Sequence, residues 1–419
     1  RSRMNNQLSI HFPENNEVCL GEDRWRLVYT TRDSETTSIG DFERCGGRVF
    51  SPIYCPPKTV QSYAVSQISE QPGVLSRIES RLLGEFRNWM YGGCAVNAEM
   101  MEKSLTAISW KEDRMMAAVA FPDDSIHFYD LEEQRWNNIV LRNEQMVGIQ
   151  SISWKPSTLG TLAVSCINGL FIWSRAGDNE GVHYCCRQVL SLRGIIKSEF
   201  CLNGQFLFVF SRDSYAVRLL ETVTYSVVRT FGSPLYLPRK VLFSRDSQLL
   251  VIMSSDDSVH IHNLLTWKED VWRMNQKVHV SDIAFSGNSE FLYVLCSVPE
   301  ESILYTIQIS HHMNLIYTSM TDTILQIPGR QNGLTCPSQI CVDGNGSRLV
   351  CAYEHSRYLM VFRIDRSCRF SLLGVISNPI EGNEVKEMSF VESSMRGSVL
   401  SVMWKSGHWL FYHLQIGRA

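Results

Sequence analysis

Hydrophobic and polar positions alternate along much of the chain in short runs, and each run ends in a polar turn. The clearest stretch, residues 151–173, reads SISWKPSTLGTLAVSCINGLFIW, with Trp154 and Trp173 at its two strand ends. Alternation with a period of two predicts half-buried β-strands, and the Pro, Ser and Gly clusters between the runs predict turns. The stretch therefore predicts three short strands joined by two turns.

The same layout recurs through most of the chain. Each copy ends its first strand in an apolar or aromatic anchor, and the seven anchors are Trp110, Trp154, Phe200, Phe243, Phe285, Val342 and Phe390. Their spacings are 44, 46, 43, 42, 57 and 48 residues, close to the period of about 40–45 residues of a four-stranded propeller blade. The repeat predicts an all-β fold, a seven-bladed β-propeller of the WD-repeat type, over residues 105–419.

Two segments precede the repeats and depart from their pattern. Residues 1–57 are irregular, with strand-like pieces at Gln7–Phe12 and Trp25–Thr31. The last repeat stops after its third strand at Leu414, so we expect part of residues 7–31 to supply the closing outer strand. Residues 58–104 contain SRIESRLLGEFRNWM, whose apolar residues have helical spacing. They predict a short helical insert, which either packs on the propeller or binds a partner.

The longest interval lies between the fifth and sixth anchors. It contains residues 316–334, which read IYTSMTDTILQIPGRQNGL. We interpret this segment as an inserted or extended outer strand with its loop.

Composition and charge narrow the function classes. The chain has 419 residues, 40 basic against 43 acidic, for a net charge of −3. This balance gives no electrostatic reason to expect direct binding to nucleic acid or a polybasic membrane anchor. Its 13 cysteines form no CxxC pair, which favours reduced thiols in the cytosol or nucleus. The apolar runs are strand-length, so we expect neither a transmembrane span nor a signal peptide.

Several residue groups could suggest chemistry, but each has a plainer structural explanation. These groups are His260 with His262, His311–His312, Cys185–Cys186, Asp123–Asp124, Asp256–Asp257 and the glycine-containing stretch GGCAVNAEM. Both Asp pairs precede Ser at the same place in their repeats, which is typical of turns. No third ligand accompanies the histidines at motif spacing, and the glycines lack the context of a phosphate loop. We expect no catalytic, metal or cofactor site and no small-molecule substrate.

Four stretches resemble one known family. They are the N-terminal QLSIHFPENNEVCLG, the unit LTAISWKEDR with DDSIHFYD, the opening stretch at 151–173 and the final GSVLSVMWKSG. Together they resemble the aladin family of WD-repeat nucleoporins. The Pro-rich C-terminal tail of that family is not found here, and Tyr129-Asp130 comes closest to the Trp-Asp dipeptide of WD repeats. The resemblance implies a nuclear pore component, held at the nuclear envelope by a transmembrane nucleoporin of the pore membrane, with spindle association in mitosis.

These features together favour a non-enzymatic scaffold that binds other proteins. Membrane association would then occur only through a partner. The alternative within this class is a substrate receptor or adaptor of another complex, such as a ubiquitin ligase. An enzyme using the central channel should show polar residues converging from several blades at equivalent loop positions, and the sequence does not show this. The partner-binding residues are not identified by the sequence, although residues 58–104 and 301–335 depart most from the repeat.

Overall fold

The computed structural model describes most of the repeats and part of the chain before them. The described residues are 13, 17–23, 25–31, 35–45, 47–50 and 105–415, with gaps in the last range at 112–114, 159, 179–180, 233–236, 274–277, 298–301, 311–316, 321–324, 328–335, 367, 379–383, 393–396 and 406–407. The helical insert expected in residues 58–104 and the strand expected at Gln7–Phe12 lie outside them. None of the described helical residues forms a segment long and apolar enough to cross a membrane.

The chain before the repeats forms a hairpin and one helix. These elements are β1 (Glu17–Asp23), β2 (Arg26–Thr31) and α1 (Glu35–Arg44). Helix α1 is not predicted by the hydrophobic pattern, because its sequence ETTSIGDFER is mostly polar and offers no repeating apolar stripe. Its buried Phe42 lies against Gly21 of β1, so tertiary packing holds the helix in place.

The repeats form seven blades, each built on antiparallel strands in chain order. Blade 1 consists of β3 (Ala107–Lys111), β4 (Met116–Ala120), β5 (Ile126–Asp130) and β6 (Arg135–Leu141), and blade 2 of β7 (Ile149–Trp154), β8 (Thr161–Cys166), β9 (Gly169–Asp178) and β10 (Gly181–Leu190). Blade 3 consists of β11 (Ile195–Phe200), β12 (Phe206–Ser211), β13 (Ala216–Glu221) and β14 (Val227–Phe231), and blade 4 of β15 (Pro238–Phe243), β16 (Leu249–Ser254), β17 (Ser258–Asn263) and β18 (Glu269–Arg273). Blade 5 consists of β19 (His279–Phe285), β20 (Phe291–Ser297), β21 (Ser302–Ser310), β22 (Tyr317–Met320) and β23 (Leu325–Ile327). Blade 6 consists of β24 (Pro337–Val342), β25 (Arg348–Tyr353), β26 (Tyr358–Ile364) and β27 (Phe370–Ser377), and blade 7 of β28 (Val385–Glu392), β29 (Gly397–Trp404) and β30 (Trp409–Gln415).

Burial falls from the middle of each blade to its outer edge. Neighbouring blades cover both faces of the second strand, so all residues of β16 and of β29 are buried. Such strands become continuous apolar runs instead of alternating ones. The fourth strand β14, in contrast, buries only Phe231.

Seven apolar clusters, one at each junction between neighbouring blades, form the core of the described chain. Between blades 1 and 2, the rings of Trp154 and Phe128 have centroids 5.5 Å apart. Between blades 7 and 1, the rings of Trp110 and Trp409 are 5.4 Å apart. Because blade 7 contacts both blade 6 and blade 1, the ring closes, and the predicted seven-bladed propeller is confirmed.

The N-terminal hairpin adds two strands to blade 7. Strand β1 runs parallel to β30, with Gly21 opposite His413 and Glu22 opposite Leu414, and β2 forms the outer edge. The hairpin also contacts blade 6, because the Tyr29 hydroxyl donates to the Val375 carbonyl at 2.9 Å and accepts from the Val375 N–H at 3.1 Å. The hairpin therefore ties blade 6 to blade 7. The domain boundaries at residues 57 and 104 stay predictions.

A buried ion pair fixes this hairpin to the ring. Arg348 of β25 donates two hydrogen bonds to the Glu22 carboxylate, at 2.7 and 2.9 Å, and both side chains are fully buried. Asp343 contacts the same guanidinium at 3.2 Å, and the Gln415 carbonyl accepts a further hydrogen bond from it. The guanidinium lies 4.8 Å from the centre of the Trp25 ring. These contacts join the N-terminal hairpin, blade 6 and the end of blade 7 at one point.

The long interval between the fifth and sixth anchors contains an outer strand in two pieces. Strand β22 pairs with one end of β21 and β23 pairs with the other end. Both pieces belong to the segment interpreted as an extended outer strand, so the added length lies at the rim of blade 5.

Candidate functional site: the central channel

The first strands of the blades line the central channel and share one irregularity. In blades 2 to 7 the pairing of the first and second strands shifts by one residue near the start of the strand. A β-bulge of this kind re-aims the side chains beside it. The residues that follow the shift form one set of equivalent positions, three residues before each anchor: Ser151, Lys197, Lys240, Asp282, Gln339 and Glu387.

The channel contains a cavity of about 410 Å³, lined by residues from blades 3 to 7. Its charged lining side chains are Lys197, Arg239, Lys240, Asp282 and Glu387. Both positive and negative side chains are present, so the channel is polar but does not favour ligands of one charge. A cavity of this size falls within the usual range for small-molecule sites, about 300–1,000 Å³.

Direct ion pairs neutralise part of this charge. The Lys240 ammonium lies 2.5 Å from one Asp282 oxygen, and the other Asp282 oxygen accepts the Ile340 backbone N–H at 2.8 Å. The Lys197 ammonium lies 3.2 Å from Glu199, and this carboxylate raises the pKa of Lys197. Asp282 thus bridges blades 4, 5 and 6 and stabilises the ring from inside.

Glu387 differs from the other channel carboxylates. Among the described residues, no side chain donates a hydrogen bond directly to it. The Glu387 side chain is exposed to the channel, but partial desolvation by the channel wall raises its pKa above the usual range, against the opposing attraction of the Lys197 and Lys386 ammonium groups. Burial also lowers the pKa of Lys386. Unlike Asp282 and Lys197, Glu387 thus has no direct ion-pair partner among the described residues.

The paired aspartates stand in turns, as their sequence context predicts. Asp123 accepts the Ser125 backbone N–H at 3.3 Å within its own turn. Asp124 accepts the backbone N–H groups of Gly148 and Ile149, at 3.0 and 2.9 Å, and so holds the first strand of blade 2. In blade 4, Asp256 and Asp257 repeat these two roles towards Ser258 and Val280. The interpretation as turn chemistry is confirmed.

One hydrogen-bond series resembles a nucleophile with its base. Ser258 Oγ lies 2.9 Å from His260 Nε2, and His260 Nδ1 lies 2.6 Å from a Glu269 oxygen. The Ser258 hydroxyl also donates to Asp256 at 2.5 Å, and Ser258 has no exposed surface. Ser125 and His127 of blade 1 repeat the Ser–His contact at 3.1 Å. The arrangement holds two equivalent turns, and a substrate could not reach the hydroxyl without unfolding them.

The remaining predicted groups stay apart. His262 shares a face with His260 but packs on Phe231, with the two ring centroids 4.4 Å apart. Burial lowers the pKa of His262 to about 4. The described residues bring together no three His, Cys, Asp or Glu side chains fit to hold a metal. Cys185 is exposed, whereas Cys186 packs towards blade 1 and burial raises its pKa to about 11. His311–His312 and the stretch GGCAVNAEM lie outside the described residues.

The charged residues that line the channel are the main feature that the sequence did not predict. An enzyme would show convergence at loop positions, and the sequence shows none, whereas the charged residues converge on the first strands. The signal is present in the chain, because Lys197, Lys240, Asp282 and Glu387 each stand three residues before an anchor. What the sequence hides is the bulge, which turns these residues towards the channel.

The chain is similar to known proteins in its sequence and in its fold, although no protein-family model matches it. Among curated proteins, Aladin of Arabidopsis thaliana is 18% identical over 447 residues, covering 96% of this chain and 98% of that protein. Among solved structures, the Cps50 (Swd1) β-propeller domain of Myceliophteria thermophila gives a TM-score of 0.56 at 13% identity, covering 75% of this chain and all of that one. Hydrazine synthase of Kuenenia stuttgartiensis gives a TM-score of 0.57 at 13% identity, covering 74% of this chain and 95% of that one. These structures share the β-propeller fold, which by itself does not decide function.

Proposed function

We propose that this protein is a non-enzymatic interaction scaffold of the nuclear pore complex, with a role like that of the aladin family. The observation that carries the proposal is the similarity to Aladin over 96% of this chain. The repeats at residues 105–419 make up about three quarters of the chain, so a match over 96% also takes in most of the residues before them. A chance likeness between propellers would be expected to match the repeats alone.

The geometry supports a passive mechanism. Seven apolar junctions and the Glu22–Arg348 pair hold the ring rigid. A rigid scaffold presents its loops already ordered, so less entropy is lost when a partner binds. The channel contributes to this rigidity, since Asp282 links three blades.

The partners follow from the resemblance and from the two departures from the repeat. We propose that a transmembrane nucleoporin of the pore membrane holds the protein at the nuclear envelope. Residues 58–104 and 301–335 are the proposed segments of contact. Association with the spindle in mitosis is part of the same proposal.

Quantitative affinity purification tests this function. The full chain carries a tag and replaces the native copy in its own cells, and mass spectrometry quantifies the recovered proteins. We expect enrichment of pore-membrane and other pore proteins over ubiquitin-ligase subunits. A matched variant in which a Gly-Ser linker replaces residues 58–104 should lose the pore-membrane protein. Enrichment of ligase subunits without pore proteins would contradict the proposal in favour of the substrate-receptor alternative.

A further inference from the structure

Exposed large hydrophobic residues are concentrated in two adjacent blades. Ten such residues occur in the described chain, and eight of them belong to blades 3 and 4 or to their connection: Leu202, Tyr215, Val223, Val227, Val228, Leu237, Leu265 and Val271. Val223 is 88% exposed and Leu265 is 70% exposed, the highest values of the ten. Scattered apolar residues on a surface need no explanation, but a concentration of them marks an interaction site.

Val223 and Leu265 occupy the same position in the turns that join the third and fourth strands of their blades. The turn in blade 3 ends at Tyr225 and the turn in blade 4 ends at Trp267, with φ of 58° and 59°. A bulky side chain at positive φ is a backbone outlier, because its Cβ crowds the neighbouring peptide. Gly or Asn would avoid this strain, but Tyr225 and Trp267 are half-buried and pack against the apolar clusters of the blade junctions, which accounts for the two aromatic residues.

Blades 1 and 6 contain the same turn with a polar tip. Their residues at positive φ are Gln134 and Cys368, and the residues two positions earlier are Glu132 and Arg366, both exposed. The turn therefore forms equally well without an apolar tip. The exposed apolar tips Val223 and Leu265 are a property of blades 3 and 4, beyond what the repeat requires.

Arg229 joins the two turns into one surface. It extends from β14 of blade 3, and its guanidinium lies 5.2 Å from the centre of the Trp267 ring in blade 4. Its Nη1 donates to the Trp267 carbonyl at 3.4 Å, which leaves other N–H groups of the fork available. We define the rim patch as Val223, Val227, Arg229, Leu265 and Trp267. Trp and Arg are the residues most enriched at the energetic centres of protein interfaces.

Arg229 is the charged residue of the rim patch, and its guanidinium favours a partner that carries carboxylates. The nearby carboxylates of Glu221 and Glu269 remain charged but are directed to Ser226, at 3.3 Å, and to His260, at 2.6 Å, so neither pairs with Arg229. Two exposed guanidinium groups are left to face a partner, that of Arg229 and that of Arg187, which lies near the Tyr225 hydroxyl. Arginine pairs well with carboxylates across an interface.

We infer that the rim patch docks a protein segment whose apolar side chains are flanked by Asp or Glu. The apolar side chains cover Val223 and Leu265, and the carboxylates pair with Arg229. This inference rests on the proposed scaffold function and gives that scaffold a defined partner surface on blades 3 and 4.

Site-specific photocrosslinking tests the rim patch in the full chain. A benzophenone amino acid replaces Val223 or Leu265 in cells, and the same replacement at Glu132 or Arg366 is the matched control. We expect the first two positions to crosslink one segment with Asp or Glu within two residues of an apolar side chain. Crosslinks no stronger than those of the controls would overturn the inference. Crosslinks to a second copy, to residues 51–104 of the same chain or to a basic segment would do so as well.

Binding of the identified segment, as a synthetic peptide, to the purified full chain supplies the second measurement. We expect the Val223→Ser/Leu265→Ser variant to weaken binding at least tenfold and Arg229→Glu several-fold, while Glu132→Ser/Arg366→Ser binds normally. Replacing the peptide's Asp and Glu by Asn and Gln should weaken binding to the wild type but not to Arg229→Glu. Equal binding by all variants would overturn the inference. The pore proposal is judged separately by the purified partners, so either proposal can fail alone.

Discussion

The buried Glu22–Arg348 pair offers the sharpest test of how the ring is closed. Replacing Arg348 by Met keeps most of the side-chain volume but leaves the Glu22 carboxylate buried with no ionic partner. Both side chains have zero exposure, and the pair is bidentate at 2.7 and 2.9 Å. Removing one partner of such a pair costs about 3–5 kcal/mol, because an uncompensated charge remains in the interior. Asp343, which is also fully buried, loses the same guanidinium but keeps hydrogen bonds from the Ser347 hydroxyl at 2.7 Å and the Arg348 backbone N–H at 2.9 Å.

The assay is equilibrium urea unfolding at pH 7, with limited proteolysis of the N-terminal hairpin as a second readout. We expect Arg348→Met to lower the free energy of unfolding by about 3–5 kcal/mol. The exposed pair Arg44–Asp41 gives the control, and Arg44→Met should cost less than about 1 kcal/mol. The double variant Glu22→Leu/Arg348→Met should recover part of the loss, since Glu22 is no longer a stranded charge while the buried Asp343 still lacks the guanidinium. Equal stability of Arg348→Met and Arg44→Met would refute the stabilising role of the buried Glu22–Arg348 pair.

Three further variants test other parts of the structure. The pKa of Glu387 is raised although its side chain is exposed to the channel, so its charged form destabilises the fold only slightly as pH rises through that pKa. Glu387→Gln should therefore raise the Tm at pH 7 by a small amount and leave it unchanged near pH 4. Glu384→Gln is the control, because the pKa of Glu384 is lowered, chiefly by its hydrogen bond with Lys405, so this variant should not raise the Tm at pH 7. A rise in Tm for both variants would contradict the raised pKa of Glu387. Tyr29→Phe should cost about 1–3 kcal/mol in urea unfolding, since two backbone groups of blade 6 lose their partner. Trp154→Ala should cost about 3–5 kcal/mol, and a loss under 1 kcal/mol would argue against its packing role between blades 1 and 2.

The architecture was readable from the sequence because its cause is repetitive. Each blade needs one large anchor and a buried second strand, so Trp110, Trp154 and the later anchors recur at nearly constant spacing. Trp173 has no exposed surface and donates to Met146 Sδ at 3.3 Å, which accords with a packing role. Local pattern and tertiary burial carry the same information at these positions.

The parts that were not readable depend on long-range contacts. Helix α1 is mostly polar and is held through Phe42 against Gly21, which no local pattern reveals. Strand β1 pairs with β30 almost 400 residues later, and the Glu22–Arg348 pair joins residues 326 positions apart. The rim patch could be recognised only from side-chain exposure and backbone φ values, since Val223 and Leu265 look like core residues in the sequence.

Imaging of a tagged full-length copy in its own cells tests the central proposal most directly. We expect a punctate nuclear rim in interphase that coincides with a marker of the pore membrane. We also expect Arg348→Met to reduce the rim signal, because the destabilised ring is less abundant. A wild-type protein spread evenly through the cytosol, with no rim above background, would contradict the proposal that it is a component of the nuclear pore.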